Sequence, residues 1–197
     1  MNQEEQKEND RMKSGLMLGV NPNTEREKND FYATNPHALE IAMPIFKDIL
    51  DKNVWECACG QGHLSEVLKE FGYNVKSTDL INRGYGEVQD FLKCEDKFKG
   101  DILTNPPFKL AKNFIEKSFE LIEDERYAIF FLKIQFLESK LRKEMFVKYP
   151  LKYLIVNSER QQCAKDADFE KYKATTQCYC WYIFQKGYKG EPIVKWL

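Results

Sequence analysis

Apolar residues along this chain recur at two spacings, and the spacing switches back and forth from Asn35 onward. Short apolar runs read as strands: NVWECACG from Asn53, YNVKSTDL from Tyr73, DILTN from Asp101, RYAIFFLKI from Arg126, LKYLIVN from Leu151 and QCYCWYIFQKG from Gln177. Among them RYAIFFLKI is the most continuously apolar, the mark of a strand buried on both faces. Between the strands, apolar residues three and four apart predict helices in HLSEVLKEFG, ending at Gly72, in KLAKNFIEKSFELIEDE, and in SKLRKEMFVKY, stopped by Pro150. An earlier stretch, NPHALEIAMPIFKDIL, reads as one amphipathic helix with Pro36 near its start.

Strands that alternate with helices predict an α/β fold with a mostly parallel sheet, covered by helices on both faces. The last two strands are separated by residues 157–177, a polar segment with no helical period, so they are expected to pair antiparallel. Residues 1–28 are charged, rich in asparagine and poor in large apolar groups outside GLMLGV. They read as a flexible tail with one docking point. What remains, 29–197, is the length of one domain. No internal repeat or low-complexity tract interrupts it.

Composition narrows the class. With 43% hydrophobic and 31% charged residues and a net charge of -1, the chain lacks the basic excess of a nucleic-acid coating protein. The charge is uneven: residues 1–100 carry 13 Lys and Arg against 18 Asp and Glu, and 101–197 carry 17 against 13, so an anionic substrate would favour the second half. The cysteines fall in CAC and CYC pairs (Cys57 and Cys59, Cys178 and Cys180) with Cys94 and Cys163 alone. With only His37 and His63 beside them no zinc spacing emerges, and they read as reduced core thiols, with no metal expected. The polar start MNQEEQKEND and the lack of any apolar run near the roughly 20 residues that span a bilayer imply a cytoplasmic protein with no membrane association.

Two stretches carry candidate chemistry. In DILTNPPFKL a strand runs into Asn105, Pro106, Pro107 and Phe108. The prolines hold the chain extended and offer no N–H, so the Asn105 side chain and the Pro106 carbonyl are two acceptors beside a flat ring, a set suited to a planar amine. A plain strand-ending turn would use the same residue types. In ECACGQGH, Glu56, Gly60 and Gly62 sit at a strand-to-helix turn where glycine permits close approach of a ligand, and Asp79 closes the next strand, where an acid commonly holds ribose hydroxyls. The stretch lacks the lysine of a P-loop and the third glycine of GxGxxG, which favours a cofactor without a pyrophosphate.

These elements, in this order, resemble the S-adenosylmethionine-dependent amino-methyltransferases that modify adenine N6 in DNA, over most of residues 31–197. The resemblance implies a Rossmann-like class I methyltransferase fold: a mostly parallel seven-stranded sheet with an antiparallel last strand. It implies S-adenosylmethionine as cofactor, with Glu56, Cys57, Ala58, Gly60 and Gly62 around its methionine part and Asp79 on its ribose. Asp90 resembles the acid that meets the cofactor's adenine amine, with Phe91 packing on that ring. Phe31, Tyr32 and Thr34, in FYAT, resemble the stretch that closes over the methionine end. Asn105 to Phe108 matches the catalytic [DNS]PP[YFW] segment, and Asn105 borders the cofactor as well. Such a site needs neither a histidine base nor a metal, and Phe108 would stack on an adenine swung out of the duplex.

The chain departs from that family in having little target-recognition apparatus. Only 157–177 is available, with Arg160, Lys165, Lys171 and Lys173 interleaved by Phe169 and Tyr172, alongside four acids. Lys133 and Gln135, at the end of a central strand, are further candidates for substrate contact, while His63 reads as a helix-face residue. Low selectivity for surrounding sequence is expected, unless a partner subunit supplies recognition. A phage or mobile-element protein protecting its DNA would suit such an enzyme. Alternatives within enzymes are an RNA base or a protein glutamine as substrate, and outside enzymes a catalytically silent nucleic-acid-binding module on the same fold.

Overall fold

A computed structural model describes residues 32–161, 163–164, 169 and 177–197. The tail 1–28 lies outside the described residues, as do Phe31, Lys165, Lys171, Tyr172 and Lys173. In chain order the strands are β1 (Ala33–Thr34), β2 (Asn53–Glu56), β3 (Asn74–Asp79), β4 (Glu87–Val88), β5 (Asp101–Thr104), β6 (Tyr127–Lys133), β7 (Leu151–Val156), β8 (Cys163–Ala164), β9 (Tyr179–Gln185) and β10 (Ile193–Trp196). The helices are α1 (His37–Glu40), α2 (Met43–Phe46), α3 (His63–Glu70), α4 (Ala111–Leu121) and α5 (Lys140–Lys148).

The main sheet runs β10-β7-β9-β6-β5-β2-β3-β4, and β1 pairs with β8 in a separate ribbon. All neighbours in the main sheet are parallel except β9, which is antiparallel to both β6 and β7. The antiparallel pairing of the last two long strands is as the pattern predicts. The strand count is not: the sheet has eight strands rather than seven, and the two that no apolar run marks are the short β4 beside β3 and β10 along β7.

Alternation within the central strands builds two cores. Ala128, Phe130 and Leu132 of β6, with Tyr182 and Phe184 of β9, pack under Phe114, Ile115 and Met145 of α4 and α5. Ile129 and Phe131, with Trp181 and Ile183, pack under Leu39, Phe46, Leu64 and Leu68 of α1 to α3. The Trp181 indole N–H, buried in that second core, donates to the Ala38 carbonyl at 3.1 Å and ties α1 to the sheet.

The single helix expected over 35–50 is two short ones. Pro44, in the first turn of α2, has no N–H to donate to the Glu40 carbonyl, so the helix breaks and restarts after Ala42. Helix α4 also stops early, at Leu121, and Glu125 takes a positive φ of 68° as the chain turns into β6. Among the described residues, no helix is long and apolar enough to cross a membrane.

Candidate active site

Strand order reverses between β2 and β5, the place where an open α/β sheet leaves a crevice at its carboxyl edge. Glu56 ends β2, Asp79 ends β3 and Thr104 ends β5, so the loops beyond them converge there. They enclose a cavity of about 550 Å³, within the usual range for a small-molecule site.

The turn after β2 is shaped by glycines, but not in one way. Gly60 has φ 55° and its N–H donates to Asp79 Oδ2 at 2.9 Å, while Ile81 N–H donates to Oδ1 at 2.9 Å. Two backbone donors thus aim the carboxylate, and each oxygen keeps capacity for another hydrogen bond. Gly62 has φ 87° and starts α3; a Cβ there would lie 2.6 Å from the Tyr85 ring. The close approach that this glycine permits is therefore made by Tyr85, not by a ligand. Tyr85 is held in turn by Lys69, at 2.6 Å, and Glu66.

Asn105 lies directly after β5 and lines the cavity. Its Nδ2 donates to Thr34 Oγ1 at 2.8 Å and faces the Tyr32 carbonyl at 3.4 Å. A carbonyl can only accept, so the amide nitrogen belongs on that side and the oxygen on the other. Oδ1 is buried and has no hydrogen-bond partner among the described residues. Leaving a buried acceptor unmet costs about 1–3 kcal/mol, so this is a standing demand for a donor. The Pro107 carbonyl accepts Leu110 N–H at 2.8 Å; among the described residues no backbone N–H reaches the Pro106 carbonyl.

Two further groups on the wall have shifted acidities. Burial pushes the Glu56 carboxyl up to about 8, against the opposing effect of a hydrogen bond from the Ser65 hydroxyl, which also meets Ser77 Oγ at 2.7 Å. His63 is pushed down by burial and is neutral near pH 7; its ring meets Phe169 edge-on at 5.6 Å. His63 therefore belongs to the cavity wall rather than to an idle helix face. Among the described residues no group of three or more His, Cys, Asp or Glu is placed to hold a metal.

Of the residues expected from sequence, Tyr32, Thr34, Glu56, Ala58, Asp79 and Asn105 to Phe108 come together on this wall. Cys57 does not, being buried in the core. Phe91 does not either: it is 2% exposed, edge-on to Trp55 at 5.2 Å and stacked on Phe114 at 5.0 Å, so no face is left for a cofactor ring. Asp90 caps the turn 91–93, accepting Leu92 N–H at 3.1 Å and pairing with Lys93 at 3.1 Å. Lys133 stands at the rim, its Nζ 5.0 Å from the Phe108 ring centroid. Gln135 is exposed in the turn after β6, and Arg160 is exposed beyond β7.

Leu80, Ile81, Arg83, Lys109 and Leu110 also line the cavity and carry no motif of their own. The usable signal was position, since each comes within six residues of an expected site residue in a loop at the carboxyl edge of the sheet.

Neither a protein-family model nor a curated protein sequence matches the chain. Solved structures do match. A candidate class I S-adenosylmethionine-dependent methyltransferase from Listeria monocytogenes superposes with a TM-score of 0.59 at 16% identity, over 95% of this chain and 72% of that one. The modification subunit of a candidate type I restriction enzyme from Vibrio vulnificus gives 0.54 at 17% identity, over 98% of this chain and 51% of the subunit. A candidate RNA methyltransferase from Pyrococcus horikoshii gives 0.52 at 19% identity, over 76% and 81%. The chain has the Rossmann-like fold of class I methyltransferases.

Proposed function

We propose that this protein is an S-adenosylmethionine-dependent methyltransferase acting on the exocyclic N6 amine of adenine in DNA. The observation that carries the reading is Asn105 on the wall of a cavity of cofactor size, its buried Oδ1 unpartnered among the described residues, with Pro106 and Phe108 on the same wall. The cavity walls fit the cofactor by their chemistry. Asp79 retains acceptor capacity for ribose hydroxyls, Glu56 can face an ammonium, and Leu80 and Ile81 are apolar neighbours for a flat ring. Bound there, S-adenosylmethionine supplies an electrophilic methyl group.

The protein's own contribution is to prepare the amine. The lone pair of an exocyclic amine is delocalised into its ring, which makes it a poor nucleophile. Asn105 Oδ1 and the Pro106 carbonyl accept its two N–H groups and favour the tetrahedral nitrogen whose lone pair points outward. Phe108 stacks on the flipped base, and the Lys133 cation, 5.0 Å from that ring, borders the same place. No general base is needed before attack, in keeping with His63 as the neighbouring imidazole and not a partner of Asn105. Arg160, Lys171 and Lys173 would add phosphate contacts, and Gln135 is a further candidate for substrate contact. Few side chains are then available for base edges, so selectivity for surrounding sequence should be low. The likeness to a restriction-system modification subunit supports DNA, and that subunit is about twice as long, which leaves recognition by a partner in play.

Incubation with methyl-labelled S-adenosylmethionine and, in parallel, DNA, RNA and cell-extract protein tests the reading. Label at adenine N6 of DNA is expected; label on an RNA base or a glutamine amide, or no binding of the cofactor, would overturn it.

A further inference from the structure

Asn105 can serve as an acceptor only if its amide is turned the right way, because its two ends are nearly the same shape and opposite in hydrogen bonding. Turned over, it would present N–H to the cavity and repel the amine it is proposed to receive. The Phe108 side chain cannot choose between these states, and neither can a proline ring. The choice is made by the Tyr32 carbonyl, 73 residues away in sequence, which can only accept, and the amide is then held there by Thr34 of β1.

We infer that Thr34 is the positioning residue for the catalytic amide: the Tyr32 carbonyl, which can only accept, decides which end of the amide faces it, and Thr34 Oγ1 holds that end in place so that Oδ1 stays turned to the target amine. Thr34 is 4% exposed and its Oγ1 is 2.8 Å from Asn105 Nδ2, the best-placed partner that nitrogen has. The other two contacts are weaker, the Tyr32 carbonyl at 3.4 Å and Cys163 Sγ at 3.9 Å. Thr34 is itself fixed by strand pairing. Its strand pairs antiparallel with β8, Thr34 opposite Cys163 and Ala33 opposite Ala164. Burial pushes the Cys163 thiol up to about 12, so that neighbour stays uncharged and does not compete for the amide as an anion. A second consequence is topological: β8 belongs to the segment 157–177 expected to meet the substrate, so the ribbon joins that segment to the catalytic amide.

This inference rests on the reading of Asn105 as the acceptor for the target amine, and it assigns to Thr34 a role other than contact with the cofactor. Thr34→Val keeps the shape and removes the hydroxyl; Thr34→Ser keeps the hydroxyl. The expected result is a fall of about tenfold in kcat for Thr34→Val with cofactor Kd within twofold of wild type, and recovery to within about threefold in Thr34→Ser. Unchanged kcat in Thr34→Val, a loss confined to cofactor affinity, or an equal loss in both variants would overturn it.

A measurement independent of turnover separates failure of this inference from failure of the functional reading. In protein labelled with 15N-asparagine, the Asn105 side-chain signal is assigned by its loss in Asn105→Ala. Its NH2 protons should exchange slowly with water in wild type and Thr34→Ser, and several-fold faster in Thr34→Val. The same exchange in all three would overturn the inference whatever the enzyme's substrate proves to be.

Discussion

Phe91 and Phe108 are both aromatic residues near the carboxyl edge of the sheet, and their sequence contexts assign both to ligand rings. The fold treats them oppositely. Phe91 is closed in between Trp55 and Phe114 and completes the core under α4. Phe108 lies on the cavity wall, tilted against Tyr179 at a centroid distance of 6.1 Å and bordered by Lys133. The difference lies in the backbone around each ring. A tight turn at Phe91–Lys93 directs the first ring inward, whereas the paired prolines before Phe108 carry the chain past the end of β5, so that its ring packs against the edges of both cores and stays half-buried.

The most severe test of that contrast is truncation of both rings. Phe91→Ala should cost about 3–5 kcal/mol of stability in urea denaturation, as for a buried Phe, while the folded fraction keeps its cofactor affinity. Phe108→Ala should cost about 1 kcal/mol or less in stability and instead weaken the complex with a target base. Equal losses of stability, or a cofactor defect in Phe91→Ala at a temperature where it is folded, would erase the distinction.

Next in size is Asn105→Ala, which should lower the methylation rate about 100-fold or more while leaving cofactor binding intact, because a preorganised acceptor is removed. Full activity in that variant would return the segment to an ordinary turn. Asp79→Ala should act the other way round, weakening cofactor binding by about 1–3 kcal/mol in calorimetry through unpaired ribose hydroxyls. The backbone donors at Gly60 and Ile81 would also lose their acceptor, so Asp79→Asn is the companion variant that keeps part of the cap.

The mildest effect is one of pH. Glu56 titrates near 8 in the folded protein against about 4.5 unfolded, so between those values the folded state binds more protons. Stability therefore falls as pH rises through that range and levels off above 8. Asp101, raised to about 6 by burial, adds the same sign at lower pH, and His63, lowered by burial, opposes it below about 6.5. The interval from about 6.5 to 8 isolates Glu56. There the wild-type Tm should decline with pH and the Glu56→Gln Tm should stay flat; matching slopes would mean that Glu56 is already ionised when folded.

How far the fold and the site were legible in the chain depends on the range of each interaction. The order of strands and helices, the turn at Gly72 and the stop before Pro150 are written in local periodicity and backbone restriction, which act over a few residues. The break at Pro44 was legible too, from its missing N–H, had the apolar pattern around it not outweighed it. Asn105, Glu56 and Asp79 could be picked out because a strand end leading into a loop already places a residue at the carboxyl edge.

Other features needed contacts between distant parts of the chain. That Gly62 makes room for Tyr85, that Phe91 is consumed by the core, that β10 extends the sheet, and that Thr34 and Cys163 meet at Asn105 all depend on groups far apart in sequence. Residue types and local spacing carry no record of which distant group will occupy a given space. The sequence by itself determined the elements and the chemical groups at their ends; the tertiary structure decided which of those groups face a cavity, because packing fills every space an internal side chain can reach and leaves open only what it cannot.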